Sequence, residues 1–225
     1  CRARMTGPAA WSALLCLALC MLVAGPSRAA DDGARRPILV LGDSLSAGYG
    51  IDLAQAWPSL LDSRLRLEGY PYRVVNASIS GETTVGGGRR LPALLTEHQP
   101  AIVVVALGAN DGLRGLPAAE VRKNLASMLE AALAAHAVPV LLQVRVPPNY
   151  GPQYTASFEA VFGEFFARPD VVPGPFLLEG FAADASAFQA DGLHPVAAME
   201  PRILTTLWPA LVNAMDVVKH RKENP

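Results

Sequence analysis

The chain has 225 residues, of which 51% are hydrophobic and 17% are charged, with a formal net charge of −1. This composition excludes a disordered or tail-like protein, and the length predicts one or two domains. Residues 1–29 carry three arginines and no acid, so without them the net charge falls from −1 to −4. That balance gives no electrostatic reason to bind nucleic acid or anionic lipid.

Residues 1–29 have the pattern of a secretory signal peptide. Two arginines precede an apolar run from about Ala9 to Ala24, and small residues follow up to Ala29. The run is shorter than the ~20 apolar residues of a membrane span. We therefore expect cleavage after Ala29 and a periplasmic or secreted protein with no stable membrane anchor. An uncleaved N-terminal anchor is the alternative.

The cysteines lie in the predicted signal peptide, at Cys1, Cys16 and Cys20. The mature chain would therefore have no thiol, disulfide or cysteine metal site. No two histidines have the spacing of metal ligands, so we expect no metal, and nothing in the sequence implies a cofactor. There is no internal repeat or low-complexity linker, which predicts a single domain over residues 30–225.

From Pro37 onward, short apolar runs alternate with segments of helical periodicity. The short runs predict strands buried on both faces: Ile38–Leu41, Tyr72–Val75, Ile102–Leu107, Val138–Val144 and, beside two prolines, Val171–Val172. Helices are predicted at Trp57–Glu68, Gly88–Glu97, Pro117–Ala135, Tyr154–Ala167 and Val196 to about Met215. This order predicts an α/β domain with a parallel sheet between helices, and a ligand site beyond the carboxyl ends of the strands.

Polar residues follow three of the predicted strands. Ser44, in the stretch GDSLS, is either a nucleophile beside a helix N-terminus or an ordinary turn residue. Gly81 either lets a backbone N–H approach a substrate oxygen or only makes a turn. Asn110, in the stretch ALGANDG, either donates a hydrogen bond into the same crevice or begins an Asx turn.

An acid and a histidine lie three residues apart near the last predicted helix, at Asp191 and His194. An acid at this spacing can accept a hydrogen bond from one imidazole nitrogen and leave the other facing a nucleophile. Ser44 needs such a base, because an unassisted hydroxyl is a poor nucleophile. A capped helix start with Pro195 in its first turn explains the pattern almost as well.

Together, four of these segments resemble the blocks of the GDSL-type, or SGNH, hydrolases: GDSLS, the glycine of SISGET, GAND and DGLHP. Longer stretches, among them NASISGETT, LPALLTEHQP and PPNYGPQY, resemble the periplasmic thioesterase I/protease I/lysophospholipase group, also called arylesterases. The resemblance extends from about Pro37 to Met215. It implies the three-layer, flavodoxin-like SGNH hydrolase fold, with a central parallel sheet of about five strands and helices on both faces.

The resemblance also implies roles for the candidate residues. Ser44 would be the nucleophile, His194 the general base and Asp191 the acid that orients it. The Ser44 N–H, Gly81 and Asn110 would form the oxyanion hole. The implied enzyme is an exported serine esterase that hydrolyses carboxylic ester and thioester bonds of acyl substrates through an acyl-enzyme, with arylesterase, acyl thioesterase or lysophospholipase activity.

Apolar residues near the expected crevice suit an acyl chain, although ordinary packing explains each of them equally well. The candidate substrate-binding residues are Leu45, Gly112, Leu113, Leu116, Val146, Pro147 and Tyr150. The alternatives are a carbohydrate or small-molecule deacetylase of the same fold and a secreted binding module without catalysis. We expect a monomer that acts on a small-molecule acyl ester or thioester, with no nucleic-acid partner.

Overall fold

The computed structural model describes residues 35–223, which belong to one compact unit built on a single sheet. All five strands are parallel, in the order β2-β1-β3-β4-β5. They are β1 (Arg36–Gly42), β2 (Tyr72–Asn76), β3 (Ile102–Ala106), β4 (Val138–Leu142) and β5 (Val172–Gly174). This is the flavodoxin-like strand order, so the predicted α/β fold is confirmed. The predicted signal peptide lies outside the described residues.

Within residues 35–223, seven α-helices connect and cover the strands. They are α1 (Ser44–Ala47), α2 (Trp57–Leu67), α3 (Thr84–His98), α4 (Ala109–Leu113), α5 (Ala118–Ala134), α6 (Pro152–Phe166) and α7 (Glu200–Glu223). None of them combines the length and the apolar character that crossing a membrane would require.

Two separate apolar cores lie on opposite faces of the sheet, because successive strand residues point to opposite sides. Ile38 and Val40 of β1 pack on the side covered by α2 and α7, whereas Leu39 and Leu41 pack on the side covered by α3, α5 and α6. All four side chains are fully buried. The near-continuous apolar runs in the sequence therefore reflect a strand covered on both faces.

The last strand, β5, forms although it includes Pro173. The sequence predicts Val171–Val172, and β5 lies one residue further on. Since β5 is an edge strand, it pairs only with β4, and a residue without an N–H can be accommodated there. Its partner strand β4 ends at Leu142, two residues before the predicted end at Val144.

Helix α3 begins at Thr84, four residues before the predicted start at Gly88. The glycines at 86–88 lower helix propensity and hide this start in the sequence. The Thr83 side chain caps the helix by accepting a hydrogen bond from the Gly86 N–H. At Gly87, a Cβ would lie 2.3 Å from Leu107 Cδ1, so glycine lets the helix pack closely against the end of β3.

The last helix is shifted along the chain relative to its prediction. The sequence predicts a helix from Val196 to about Met215, but α7 runs from Glu200 to Glu223. Residues 197–199 form a separate 3-10 turn. The helix continues past Met215 because Val218 still packs in the apolar core, so the apolar stripe extends into the charged tail.

The first residue of α7 is a buried acid. Glu200 is 2% exposed, and its carboxylate accepts a hydrogen bond of 2.8 Å from the Trp57 N–H at the start of α2. Burial raises the pKa of Glu200 from 4.5 to about 7, against the lowering effect of that hydrogen bond. In the unfolded chain the group ionises near 4.5, so folding stability falls as the pH rises from about 4.5 to 7.

We predict that Glu200→Gln, which keeps an oxygen for the Trp57 N–H, removes the loss of folding stability that accompanies rising pH. At pH 8 the variant should exceed the wild type in stability by about 3 kcal/mol, and the two should converge near pH 4.5. Thermal unfolding followed by circular dichroism at both pH values measures the difference. An equal offset in Tm at pH 4.5 and pH 8 would contradict the ionisation of Glu200 as its cause.

Candidate active site

Ser44 lies at the carboxyl end of β1, where the chain turns into α1. Gly42 makes this turn possible, since a Cβ there would lie 2.7 Å from the Cβ of Ser46. Asp43 caps α1, and its carboxylate accepts a hydrogen bond of 3.1 Å from the Leu45 N–H. The Ser44 N–H makes no hydrogen bond to any described residue. It remains a free donor beside the hydroxyl.

Three side chains form a continuous hydrogen-bonded chain. The Nε2 atom of His194 is 2.9 Å from Ser44 Oγ, and its Nδ1 atom is 2.7 Å from Asp191 Oδ2. The His194 N–H, the His194 ring and the Leu193 N–H all donate to Asp191, and they lower its pKa to about 2. Because Asp191 is ionised at neutral pH, it holds the proton on Nδ1 and leaves Nε2 to accept from the Ser44 hydroxyl.

The loop that carries Asp191 and His194 is fastened to the segment after α1 by Gln189. The Gln189 side chain donates to the carbonyl oxygens of Tyr49, at 2.8 Å, and Pro195, at 2.9 Å. Its backbone N–H donates to the His194 carbonyl at 2.8 Å. The ring of Tyr49 lies over the imidazole, with 4.3 Å between the centroids. These contacts fix the imidazole relative to the segment that carries Ser44.

Gly81 and Asn110 belong to two neighbouring segments, which the Asn110 side chain joins. Gly81 has a φ of 79°, and its N–H makes no hydrogen bond within residues 35–223. The Asn110 amide donates to the Glu82 carbonyl at 3.0 Å and contacts Asp43 Oδ2 at 3.4 Å. The second contact is longer than an ordinary N–H···O bond, so one amide hydrogen remains available to another acceptor.

A buried network behind Asn110 fixes its helix. Asp111 is fully buried, and its two carboxylate oxygens accept from the Thr84 N–H, at 2.9 Å, and the Thr84 hydroxyl, at 2.6 Å. Asn124 of α5 donates to the same hydroxyl at 3.0 Å. Asp111 thereby joins α4 to the first turn of α3. Neither Thr84 nor Asn124 stands out in the sequence, because each is an ordinary polar residue within a helix.

Asp43 is a further buried acid next to the nucleophile position. It is 2% exposed, and burial raises its pKa to about 6, although the Leu45 N–H and the charge of His194 act in the opposite direction. Its carboxylate contacts both α1 and the Asn110 amide. In the sequence, Asp43 has only the pattern of an ordinary turn or N-cap residue. Among residues 35–223, no cluster of acids, histidines or cysteines could hold a metal ion.

A cavity of about 580 Å³ opens from these groups, within the size range of small-molecule sites. Its lining includes Ser44, Asn110 and His194, together with four of the predicted substrate-binding residues: Leu45, Leu113, Val146 and Pro147. Most of the other lining side chains are apolar. The predicted oxyanion residue Gly81 lies at an exposed position outside the lining, and Asp191 stands behind His194.

Three predicted substrate-binding residues do not line this cavity: Gly112, Leu116 and Tyr150. They belong to the packing of the loop after α4. The Tyr150 hydroxyl donates to the Leu113 carbonyl at 2.7 Å, and the Tyr154 hydroxyl donates to the Leu116 carbonyl at 2.9 Å. Gly112 is buried, and a Cβ there would lie 2.8 Å from Val146 Cγ2. These residues therefore hold the loop that carries Leu113 rather than lining the cavity themselves.

The residues that form the far wall of the cavity are not among those predicted from the sequence. It consists of residues between β4 and the His194 loop: Arg145, Phe176, Leu177, Leu178, Ala182 and Phe188. Arg145 forms an ion pair of 2.9 Å with Glu179. The segment 175–184 has no helix or strand, so no periodic pattern marks it. Only its position after the last strand could have indicated a role.

Comparison with known proteins identifies the family. Residues 40–200, which include Ser44, Asn110 and His194, match the GDSL-like Lipase/Acylhydrolase family. The chain belongs to this family. Esterase TesA of Pseudomonas aeruginosa is 49% identical over 196 residues, which cover 87% of this chain and 94% of TesA. An arylesterase of Vibrio mimicus is 40% identical over 207 residues, covering 92% of this chain and 98% of the relative.

Further members of the GDSL family extend the comparison to other activities and to structures. Thioesterase 1/protease 1/lysophospholipase L1 of Escherichia coli K12 is 43% identical, covering 74% of this chain and 78% of that protein. A crystal structure of TesA has a TM-score of 0.75 at 51% identity, and the match covers 78% of this chain and 98% of TesA. The psychrotrophic esterase EstA from Pseudoalteromonas has a TM-score of 0.77 at 36% identity, and the match covers 80% of this chain and 99% of EstA. The chain is therefore an ester-hydrolysing enzyme of the GDSL family.

We predict that Gln189→Met, which keeps the side-chain length but removes both donors, lowers kcat about tenfold or more and leaves KM nearly unchanged. The cavity stays intact, but the imidazole loses its fixed position, and small displacements of catalytic groups are costly. Initial rates on a water-soluble aryl ester measure both constants. Gln153→Met, at an exposed position on α6, is the matched control. Equal kcat values for the two variants would exclude the positioning role.

Proposed function

We propose that this chain is an exported serine esterase that hydrolyses carboxylic ester and thioester bonds of acyl substrates through an acyl-enzyme. The observation that carries the proposal is the hydrogen-bonded chain from Ser44 through His194 to Asp191, with distances of 2.9 and 2.7 Å. It stands at one end of a cavity large enough for an acyl chain. The site requires residues of one chain only, which supports action as a monomer.

In the first step, His194 Nε2 takes the proton of the Ser44 hydroxyl as Oγ attacks the carbonyl carbon of the substrate. Asp191 stabilises the imidazolium that forms, because its carboxylate already accepts from Nδ1. The carbonyl oxygen becomes an oxyanion. The N–H groups of Ser44 and Gly81 and the second amide hydrogen of Asn110 are the donors for it.

In the second step, the tetrahedral intermediate collapses and His194 gives its proton to the leaving alcohol or thiol. The acyl group is then bound to Ser44 Oγ. His194 takes a proton from a water molecule as the water oxygen attacks the acyl carbon. This attack forms a second tetrahedral intermediate, which again carries an oxyanion. Collapse releases the carboxylic acid and returns the proton to Ser44, so the enzyme regains its starting state.

The substrate class rests on the apolar cavity and on the relatives. Leu45, Leu113 and Val146 present hydrocarbon to the bound acyl group, which favours a chain longer than acetyl. The names of the relatives include arylesterase and thioesterase 1/protease 1/lysophospholipase L1. The related esterase EstA is described as inhibited by monoethylphosphonate. The signal-peptide pattern of residues 1–29 supports export.

We predict that Ser44→Ala and His194→Ala each lower kcat by about a thousandfold or more, since nucleophile and base act as one unit. The measurement is hydrolysis of p-nitrophenyl esters from acetate to palmitate, with circular dichroism as the control for folding. Wild-type rates should favour medium or long chains. Activity on acetate alone would favour the deacetylase, and full activity in either variant would overturn the mechanism.

A second prediction concerns the oxyanion. Asn110→Ala should lower kcat about a hundredfold, equivalent to about 3 kcal/mol, because one donor to the transition state is lost. KM should change little, since the donor acts on charge that develops during the reaction. Asn213→Ala, at an exposed position on α7, serves as the control. A change in kcat of less than a few fold would remove Asn110 from the oxyanion hole.

A further inference from the structure

Exposed apolar side chains concentrate around the cavity entrance. Among residues 35–223, eight large apolar side chains are exposed: Tyr49, Leu53, Leu67, Ile79, Val85, Leu113, Tyr150 and Leu193. Five of these belong to segments that carry or contact the site residues, and we call them the apolar rim: Tyr49, Ile79, Leu113, Tyr150 and Leu193. Exposed apolar side chains that gather at one site, rather than scattering singly over the surface, mark a place where another molecule is bound.

Two members of the apolar rim adjoin the imidazole. The Tyr49 ring lies 4.3 Å from the His194 ring, yet half of the Tyr49 residue surface, 51%, remains exposed. Leu193 directly precedes His194 and lines the cavity, and it too is 53% exposed. Both residues therefore present apolar surface to solvent next to His194.

The other three members lie on two further segments that contact the site. Leu113 lines the cavity, and its carbonyl accepts a hydrogen bond of 2.7 Å from the Tyr150 hydroxyl, which places the two residues together. Ile79 lies in the loop that leads to Gly81, and its N–H donates to the Gly42 carbonyl at 3.1 Å. The apolar rim thus draws on three segments: the one after α1, the one between β2 and α3, and the one that joins α4 to the Tyr150 turn, together with the His194 loop.

We propose that the apolar rim docks on a zwitterionic lipid surface from which the enzyme draws its ester substrate. The inference rests on the proposed function, because it requires a lipid ester to enter this cavity. Leu113 and Leu193 belong both to the apolar rim and to the cavity lining, so apolar surface continues from solvent into the cavity. Docking removes the exposed hydrocarbon from water and opens a dry path for an acyl chain.

The position of the apolar rim distinguishes a lipid surface from other occupants. A protein partner or a second copy of this chain would cover the cavity entrance and exclude substrate from Ser44. A lipid surface covers the same entrance and delivers the substrate. Charge favours a zwitterionic over an anionic surface, because residues 30–225 carry the net charge of −4 that remains after the three arginines of residues 1–29 are removed.

The test is co-sedimentation of the processed protein, recovered after export, with vesicles of ether-linked phosphatidylcholine, whose tails carry no ester. We expect the wild type and Ser44→Ala to sediment with the vesicles. Ile79→Ser should bind about tenfold more weakly, because Ile79 is in the apolar rim but outside the cavity lining. Leu67→Ser, at the last residue of α2, is the control and should bind as the wild type does.

Wild-type protein that stays in the supernatant would overturn the proposal. So would equal binding by the two serine variants at positions 67 and 79, or binding that appears only when anionic phosphatidylglycerol is added. Hydrolysis of a water-soluble butyrate ester in the same samples tests the proposed function separately. Wild-type protein that binds the vesicles but does not hydrolyse the butyrate ester would refute the serine esterase mechanism, whereas wild-type protein that hydrolyses the ester without binding would refute lipid docking alone.

Discussion

The hydrogen bond between His194 and Ser44 is the contact on which the site depends, and it joins residues 150 positions apart. Contacts between residues close in sequence cannot hold this hydrogen bond. A parallel sheet with all its carboxyl ends at one edge brings the loops after β1, β2 and β3 together, and α7 anchors the loop that carries His194. Gln189 and Tyr49 then fix the imidazole over the segment after Ser44. The sheet brings Ser44 and His194 near each other, and these contacts orient the imidazole toward the hydroxyl.

Much of the fold could be predicted from the sequence because burial on both faces leaves a clear pattern. The runs Ile38–Leu41 and Ile102–Leu107 have the length and the near-continuous apolar character of covered strands, and the segments between them have a helical period. The residues of the candidate site could be located because each follows a predicted strand or precedes the last helix. The family resemblance connected them, whereas the individual motifs were ambiguous.

The remainder depends on contacts that leave no periodic signal. Gln189 holds its loop through hydrogen bonds to carbonyl oxygens, and any sequence supplies such oxygens. Asp111 looks like a turn residue until α3 is packed beside it. The start of α3 was hidden by its glycines, and the far cavity wall lies in a segment without helix or strand. Each of these features arises from tertiary packing rather than from local preference.

Gly87 has a consequence for how this enzyme can be altered. Its missing side chain lets α3 rest against Leu107, and the first turn of the same helix holds Asp111 next to Asn110. A side chain at this position would meet the end of the Leu107 side chain at 2.3 Å, so either Leu107 or α3 must shift to accept it. The far wall meets the His194 loop through side chains instead, with the Phe181 ring 6.0 Å from the Phe188 ring. Engineering of the cavity shape therefore has more freedom in the side chains of that wall than at Gly87.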